Sequence, residues 1–323
     1  NRRTVAQSIV AEAINLYLQM ESLERRIAIS KDRIESFRRS VELVENRYRR
    51  GLTSSLDVRQ ARRALAASET ILPALIQDLG TAQQNLSVLV GRYPYSSASR
   101  EQPEDYYKQL APVPPGLPSE LLFQRPDIQV AEARIKSANA RIGVAKASRF
   151  PRITLTGNFG YSSLELEQLF APESQLWSLA AGAVQPLFDA GRLKAAQREA
   201  EAFYQQELAD YAKTVLTAFA EVERALLTRE EQLKRRERAV NLVREARAAQ
   251  QVAELRYQRG LTDYLNVLDA QRSRYESEDE IVLIELALLT NRVNLHRALG
   301  GGWGKFPPVP PAEAHPIFEY FPP

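Results

Sequence analysis

The stretch YRRGLTSSLDV at residues 48–58 decides the fold, because it recurs as YQRGLTDYLNV at residues 257–267. The two copies start at positions 48 and 257, so they are 209 residues apart, and the same offset aligns Gly91 with Gly300. One offset that holds over this length indicates an internal duplication. The chain therefore contains two versions of one structural unit.

Each copy predicts a long helix, a tight turn and a helix that returns. Gly51 and Gly260 supply the backbone freedom that the turn requires, and Thr53 and Thr262 are the predicted N-caps of the returning helices. We expect a single returning helix in each copy, ending at the glycine at position 91 or 300.

Glycine and proline are scarce in the segments that lead into these turns. Residues 1–50 contain neither, and no proline occurs between Pro186 and Pro307. Because proline breaks helices and glycine weakens them, both segments predict very long helices. The 68 residues between Gly191 and Gly260 could extend about 100 Å as a helix, which is wider than a compact domain. Helices of this length must lie beside others.

Apolar residues in the second long helix form two adjoining seams. The first seam consists of Leu208, Tyr211, Val215, Ala218, Val222 and Ala225, and the second of Ala209, Ala212, Leu216, Phe219 and Leu226. A two-stranded coiled coil needs only one seam, so two seams indicate neighbours on two sides. The pattern fits a closed ring of helices and a multi-helix bundle equally well.

Residues 151–188 differ from the rest of the chain. The segment from Ile153 to Tyr161 alternates apolar with polar or small residues, and a second apolar run with weaker alternation covers Leu176 to Phe188. Together they predict a hairpin whose strands have about the 9–11 residues that cross a bilayer within a barrel. Two strands cannot close a barrel, so the hairpin either pairs with other chains or is an ordinary soluble hairpin. No apolar run is long enough for a membrane-spanning helix.

Composition excludes several classes of function. There are 43 Lys and Arg against 40 Asp and Glu, an excess too small for a dedicated nucleic-acid-binding protein. Cys is absent and there are two His, which excludes disulfides and zinc-finger sites. We find no catalytic constellation, so we expect no enzymatic activity, no cofactor and no metal. The charged run Lys234–Arg238 is most simply a solvated helix face, and His296 a packing residue.

Five further stretches carry a resemblance to a known family. They are GLPSELLFQRPDI at 116–128, AEAR at 131–134, ANARIGVA at 138–145, FP at 150–151 and QPLFDAGR at 185–192. With the repeated Tyr-x-x-Gly-Leu-Thr turns, they resemble the TolC-like outer-membrane factors of the OprM/NodT branch, which are the outer-membrane channels of tripartite efflux systems. The resemblance covers essentially residues 1 to 302.

The resemblance implies a mainly α fold with a small membrane β part. Long helices form an α-barrel that is a periplasmic tunnel, and the hairpin contributes to a transmembrane β-barrel shared by a homotrimer. The implied segments are first-repeat tunnel helices at 1–91, an equatorial connection at 92–118, a second-repeat helix at 119–150, the transmembrane β-hairpin at 151–188, second-repeat tunnel helices at 189–300 with a periplasmic tip near 260, and an extended Pro-rich tail at 301–323. Shifted back by the repeat offset of 209, residues 127 to 209 of the second copy would align with positions before residue 1. We therefore expect an N-terminally truncated chain that lacks the first hairpin and any signal peptide or acylated Cys.

The family's function follows as an expectation. The resemblance implies a passive conduit in the Gram-negative outer membrane, with most of the chain in the periplasm. It implies a homotrimer, outer-membrane lipid, a periplasmic adaptor (membrane fusion) protein and an inner-membrane pump of RND type as partners, and no nucleic acid. The alternative from the residues alone is a soluble coiled-coil scaffold or an adhesion-type structural protein.

The resemblance also implies two sets of functional residues. At the periplasmic gate, Leu265 and Asp269 would narrow the pore, and Arg272 and Tyr257 would tie neighbouring helices. From the residues alone, the three-residue spacing of Asp269 and Arg272 favours an intrahelical pair on a solvated face. The residues implied to contact the adaptor are the two turns, namely Gly51, Leu52, Thr53, Gly260, Leu261 and Thr262.

Overall fold

A computed structural model describes residues 2–93 and 125–301. Nearly all of the expected connection at 92–118, the start of the segment at 119–150 and all but the first residue of the tail at 301–323 lie outside the described residues. The chain divides into two units, one formed by Asn1–Pro126 with Ala218–Pro323 and the other by Asp127–Thr217. Each unit is described separately.

The first unit consists of the duplicated helices. Its elements are α1 (Arg2–Arg49), α2 (Ser55–Glu69), α3 (Ile71–Leu89), the C-terminal part of α5 (Arg192–Gln258) and α6 (Tyr264–Ala298). The ends of α1 and α5, the starts of α2 and α6, and the ends of α3 and α6 are each 209 residues apart. The helix ends of the two copies therefore correspond residue for residue, as the repeat predicts.

Both turns require glycine because their backbone is left-handed. Gly51 has φ of 71° and Gly260 has φ of 74°. In the first turn the N–H of Leu52 donates to the carbonyl oxygen of Arg47 at 2.9 Å, and the equivalent bond in the second turn measures 2.8 Å. This pattern is the Schellman ending of a helix, in which a left-handed residue lets the chain reverse.

We expect alanine at Gly260 and at Gly80 to change stability in opposite directions. Gly260→Ala places a Cβ on a left-handed residue and should cost about 1–2 kcal/mol. Gly80 lies inside α3, and a Cβ there would meet nothing within 4 Å. Gly80→Ala should therefore stabilise by about 0.5–1 kcal/mol through helix propensity. Denaturant-induced unfolding of the purified protein measures both, and equal effects would contradict a conformational role for Gly260.

The predicted caps at Thr53 and Thr262 are each one residue too early. The N-cap of α2 is Ser54, whose hydroxyl accepts from the Asp57 N–H while the Asp57 carboxylate accepts from the Ser54 N–H, each at 3.2 Å. Compared with the predicted caps Thr53 and Thr262, only Ser54 has an acidic residue three positions later. Only Ser54 can therefore form this reciprocal capping box. Partial burial opposes ionisation of Asp57, but hydrogen bonds from Thr53 and Ser54 leave its pKa below the ordinary value. In the second copy the N-cap is Asp263.

The first copy also has two returning helices where one was expected. The chain leaves α2 at Glu69 and begins α3 at Ile71. Pro73 explains the break, because its ring would clash with the carbonyl of Glu69 in a continuous helix and is tolerated only in a first turn. The equivalent position in the second copy is Val282, and α6 continues through it.

A core of aromatic and apolar residues lies behind the turns of the first unit. Its buried members are Phe37, Val44, Val58, Ala61, Tyr257, Tyr264, Val267, Leu268 and Tyr275. A second cluster joins α1 to α3 around Leu23 and Leu79, and a third joins α5 to α6 around Val222 and Leu295. Of the predicted seams on α5, the first is buried at Val222 whereas the second leaves Leu216 69% exposed. The first seam is thus buried from Ala218 to Ala225, and Phe219 and Leu226 of the second seam pack partly buried against the same cluster.

The second unit contains α4 (Pro126–Ala147), the N-terminal part of α5 and a β-hairpin. Strands β1 (Arg152–Tyr161) and β2 (Gln175–Val184) pair antiparallel, from Arg152 opposite Val184 to Tyr161 opposite Gln175. The predicted second strand extended to Phe188, which is wrong by four residues. Pro186 has no N–H for the sheet ladder, so pairing ends before it. None of the described helices is long and apolar enough to cross a membrane.

Candidate functional site

The strand register assigns every hairpin residue to one of two faces, because directly opposed residues share a face. One face carries Ile153, Leu155, Phe159, Tyr161, Trp177 and Leu179, together with Gly157, Gln175, Ala181 and Ala183, and the other carries Thr154, Thr156, Asn158, Ser178, Ala180 and Gly182, together with Arg152, Gly160, Leu176 and Val184. The weak alternation of β2 now has a reason. Its second face has small residues in the middle but Leu176 and Val184 at its ends, and its first face includes Ala181 and Ala183, so neither face of β2 is uniform.

The apolar face of the hairpin is exposed in the described chain. Ile153 is 79% exposed and Trp177 is 75% exposed. At the loop end of the hairpin, the Tyr161 ring lies 5.9 Å from that of Phe159 and 5.7 Å from that of Phe170, both edge to face. Contiguous apolar surface of this kind indicates a contact with lipid or with other protein.

The two turns present equivalent leucines. Leu52 is 59% exposed and Leu261 is 62% exposed. Each follows the left-handed glycine directly, so the turn itself places an apolar side chain at the end of a helical hairpin. A compact apolar side chain in this position is suited to fit a small pocket on a partner.

Contacts within one protomer connect the two turns. The Arg47 guanidinium lies 4.8 Å above the Tyr257 ring, and its Nη1 donates to the carbonyl oxygen of Gln258 at 3.1 Å. Tyr257 is only 3% exposed and packs 5.6 Å from the Tyr264 ring. The structure thus places Tyr257 in the core behind the turns, apart from the other three predicted gate residues.

Those three residues lie together on α6. Leu265, Asp269 and Arg272 follow one another at spacings of four and three, and all three side chains are exposed. Within the described part of the chain no ion pair joins Asp269 to Arg272. Both charges are therefore available to a neighbouring helix.

Sequence reasoning missed two buried ionic layers along α6. The Glu278 carboxylate accepts from Arg247 at 2.6 Å and from Arg274 at 2.9 Å. The Glu285 carboxylate, 5% exposed, accepts from Arg25 on α1 and from Arg236 on α5, each at 2.7 Å. Each buried glutamate thus accepts from two arginines, of which Arg247 is 59% exposed and the other three are 23–24% exposed.

The charged run at Lys234–Arg238 is accordingly more than a solvated face. Arg236 reaches Glu285, and Arg235 pairs with Glu280 at 2.8 Å, so both cross to α6. Lys234 keeps to its own helix.

The sequence signal for these interior glutamates is a heptad pattern along α6. One series of buried positions on α6 steps by four and three, namely Tyr264, Leu268, Gln271, Tyr275, Glu278, Val282, Glu285 and Leu289. Polar residues at such positions mark interior hydrogen bonds.

Arg274 joins three helices at the first ionic layer. Its guanidinium donates to Asp32 of α1 at 2.9 Å, to Gln250 of α5 at 3.3 Å and to Glu278 of α6. The Tyr275 hydroxyl also donates to the Asp32 carboxylate, at 3.1 Å. Burial raises the pKa of Tyr275 to about 12, so this donor keeps its proton at physiological pH.

Arg125, from the stretch at 116–128, holds the C-terminal end of α6. Its Nη1 donates to Glu221 at 2.8 Å and to the carbonyl oxygen of Ala298 at 3.0 Å, and the residue is 7% exposed. Gln7 donates to the carbonyl oxygen of Gly300 at 2.6 Å. Both donors satisfy carbonyls that a helix end leaves without partners, so their role is structural.

The described ranges 2–93 and 125–301 hold no cluster of three His, Asp or Glu side chains that could bind a metal ion. His296 lines a cavity of about 260 Å³ with Gln7 and Ile14. Burial, and secondarily Arg292, lower the pKa of His296, so it is a neutral packing residue at neutral pH.

Comparison with known proteins gives one consistent result. A family described as outer membrane efflux protein matches residues 1–92 and 117–301. The pyoverdine export outer membrane protein OpmQ of Pseudomonas putida is 36% identical over 307 residues, covering 94% of this chain and 64% of that protein. Outer membrane protein OprJ of Pseudomonas aeruginosa is 35% identical over 302 residues, covering 93% of this chain and 63% of that protein. The chain thus spans less than two thirds of the length of these relatives.

Solved structures agree with these relatives. The outer-membrane channel OprN superposes with a TM-score of 0.86 at 32% identity, covering 93% of this chain and 68% of that one. The open state of the MtrE outer membrane channel of Neisseria gonorrhoeae superposes with a TM-score of 0.81 at 29% identity, covering 94% of this chain and 68% of that one.

Proposed function

The chain belongs to the outer membrane efflux protein family, and from that membership we propose that it is a subunit of an outer-membrane channel that serves a tripartite efflux or secretion system. It acts as a passive conduit and performs no covalent chemistry. The observation that carries the proposal is that two features occur in one chain. The hairpin has an exposed apolar face, and the long helices have two adjoining seams of apolar residues. A lipid-facing strand pair and a helical tunnel wall need these two features.

The hairpin contributes to a membrane barrel made by a homotrimer. Its apolar face, with Leu155 and Trp177, contacts outer-membrane lipid, while the face with Thr154 and Thr156 lines the lumen. Alternation of this kind and aromatic rings near one end of the strands are typical of outer-membrane barrels. Most of the chain then extends into the periplasm.

The long helices form the periplasmic tunnel, and α6 carries its gate. Leu265 and Asp269 narrow the lumen, and Arg272 contacts a neighbouring helix. Three copies of Asp269 form a ring of negative charge that favours cations. Tyr257 acts from behind, since its contact with Arg47 holds the ends of α1 and α5 together.

The helix turns bind the periplasmic adaptor, which couples the conduit to an inner-membrane pump of RND type. The residues of the two turns are Gly51, Leu52, Thr53, Gly260, Leu261 and Thr262. The glycines shape the turns and the exposed leucines supply the contact. The pump selects the cargo.

Charge on the two hairpin faces distinguishes this proposal from a soluble coiled-coil scaffold. In the full-length protein, Leu155→Arg should cost about 2–4 kcal/mol at mid-bilayer and reduce the yield of detergent-stable trimer in outer-membrane fractions. Thr156→Arg, the neighbour on the other face, should leave the yield near wild type. Native gels of the fractions report both. A wild-type protein that is soluble and monomeric would refute the channel.

Aspartate at the turn leucines tests the adaptor contact. Leu52→Asp combined with Leu261→Asp puts a charge where an apolar side chain enters a partner's pocket, and we expect at least about a tenfold loss of cross-linking to the adaptor. Val144→Asp, at an exposed position of α4, is the control and should have no effect. Undiminished cross-linking with intact trimers would remove the turns from the interface.

A further inference from the structure

A recess lies where α1, α3 and α6 meet. Its volume is about 210 Å³, and its lining includes Ser30, Arg33, Ile71, Leu75 and Tyr275. Ile71 is the first residue of α3, so the helix break that Pro73 causes lies at the edge of the recess. One side of the lining is polar and the other is aliphatic and aromatic.

Ser30 points to a ligand because its hydroxyl has no partner. The residue is 4% exposed, and its Oγ makes no hydrogen bond in the described part of the chain. Other helical serines here donate to the carbonyl four residues earlier, as Ser87 does at 2.9 Å and Ser8 at 3.1 Å. That local bond is the usual solution for a serine inside a helix. A buried serine hydroxyl that lacks this local bond is energetically costly unless another acceptor binds it.

Arg33 supplies a second donor at the same recess. Its Nε is buried and makes no hydrogen bond within the described residues. The guanidinium carbon lies 5.7 Å from the Phe37 ring centroid and 6.0 Å from that of Tyr275, so aromatic faces flank the charge. Burial lowers the pKa of Arg33, and attraction to Glu276 opposes that effect. The group stays charged at neutral pH and lacks a bound counterion.

The neighbouring carboxylates do not supply that counterion. Asp279 accepts from Arg26 through both oxygens, at 2.7 and 3.1 Å. Glu276 forms no ion pair with Arg33 in the part of the chain that is described. Arg26 and Arg33 thus line the recess against Glu276 and Asp279, and among the described residues only Arg26 of the two is held in an ion pair, with Asp279.

We propose that the recess binds a small organic monocarboxylate. The carboxylate accepts from the Arg33 Nε–H and the Ser30 hydroxyl, and the apolar body packs on Ile71 and Leu75. One negative charge pairs with Arg33, whose Nε has no hydrogen-bond partner in the described residues, whereas a dianion would be repelled by Glu276. Water alone could accept hydrogen bonds from both donors, but it would leave the aliphatic side chains of the recess in unfavourable contact with water.

The site lies on the face of α6 that carries the predicted gate. Positions 265, 269, 272, 276 and 279 follow one another at spacings of four and three, and the last two line the recess. Binding of a carboxylate depends only on the recess and holds whether or not the chain forms a conduit.

Calorimetric titration of the purified full-length protein with benzoate tests the site. We expect saturable binding of benzoate and none of benzyl alcohol, which has the ring without the charge. Ser30→Ala should weaken benzoate binding about tenfold, because it removes one hydrogen bond to a charged group. Ser40→Ala, which changes a buried serine hydrogen-bonded to Gln271, should leave the affinity unchanged. Arg33→Gln should abolish binding.

Two results would overturn the proposal. One is equal binding of benzoate and benzyl alcohol, or no binding of either. The other is an unchanged affinity in Ser30→Ala, which remains informative even if Arg33→Gln does not fold. Anomalous diffraction from 4-bromobenzoate should locate the ligand between Ser30 and Leu75, and a bromine peak only elsewhere contradicts the site. Membrane fractionation of the same protein reports separately on the channel.

Discussion

Replacing Glu285 with alanine is expected to lower the free energy of unfolding by about 1.5–3 kcal/mol, because it removes a buried carboxylate that accepts charge-assisted hydrogen bonds from two partly buried arginines. The Glu285 side chain is 5% exposed, and Arg25 and Arg236 each contact it at 2.7 Å. These arginines come from α1 and α5, so the substitution removes the carboxylate that joins both helices to α6 at this layer. Guanidinium-induced unfolding of the purified protein measures the loss.

A neighbour on the same helix is the control for Glu285. Glu280 pairs with Arg235 at 2.8 Å, but both side chains are about half exposed. Glu280→Ala should therefore cost no more than about 1 kcal/mol. If both glutamates gave the same small effect, the layer around Glu285 would be solvated and our interpretation of it wrong.

A triple variant separates charge burial from loss of packing. Arg25→Met, Arg236→Met and Glu285→Leu together replace the layer with apolar side chains of similar size. Such replacements are neutral or stabilising when the ions were fully desolvated. We expect the triple variant to recover most of the stability that Glu285→Ala loses. A triple variant as unstable as Glu285→Ala would mean that packing, not charge, is the cause.

Features with a local cause could be predicted from the sequence. The left-handed glycines at 51 and 260 and the alternation after Ile153 each depend on a few neighbouring residues. Both turns and the first strand are where the residues indicated. The break at Thr70 was also predictable in principle, since Pro73 forbids a continuous helix there. The second copy has Val282 at the equivalent position, so the repeat by itself does not indicate a break.

Features that depend on which helices meet could not be predicted in the same way. Nothing local shows that Arg236 reaches Glu285 or that Tyr257 packs on Tyr264. A glutamate on a helix is exposed by default, and only its place in a seam of buried residues makes it interior. The seam of α6 is readable in retrospect, but its arginine partners come from two other helices. The hairpin faces likewise became clear only once the register paired Phe159 with Trp177.

Replacing Asp269 and Arg272 together with alanine is expected to raise single-channel conductance severalfold in planar bilayers. Asp269→Ala removes bulk and charge from the predicted constriction, and Arg272→Ala removes the contact that would hold a neighbouring helix in place. Both side chains are exposed in the protomer, so the change should leave its core intact. Thermal unfolding close to wild type would verify that the gain comes from the pore.

Charge and width at the gate can be separated with Asp269→Asn. This variant keeps the size of the side chain and removes the ring of three charges, so conductance should change little while cation preference falls. Glu280→Ala with Arg235→Ala is the matched control, because it also deletes an exposed opposite-charge pair that includes α6. If the control raised conductance as much as the double variant at the gate, loosening of α6 anywhere would suffice to open the tunnel. If neither variant did, the constriction would lie elsewhere along the helices, and Leu265 would be the next position to vary.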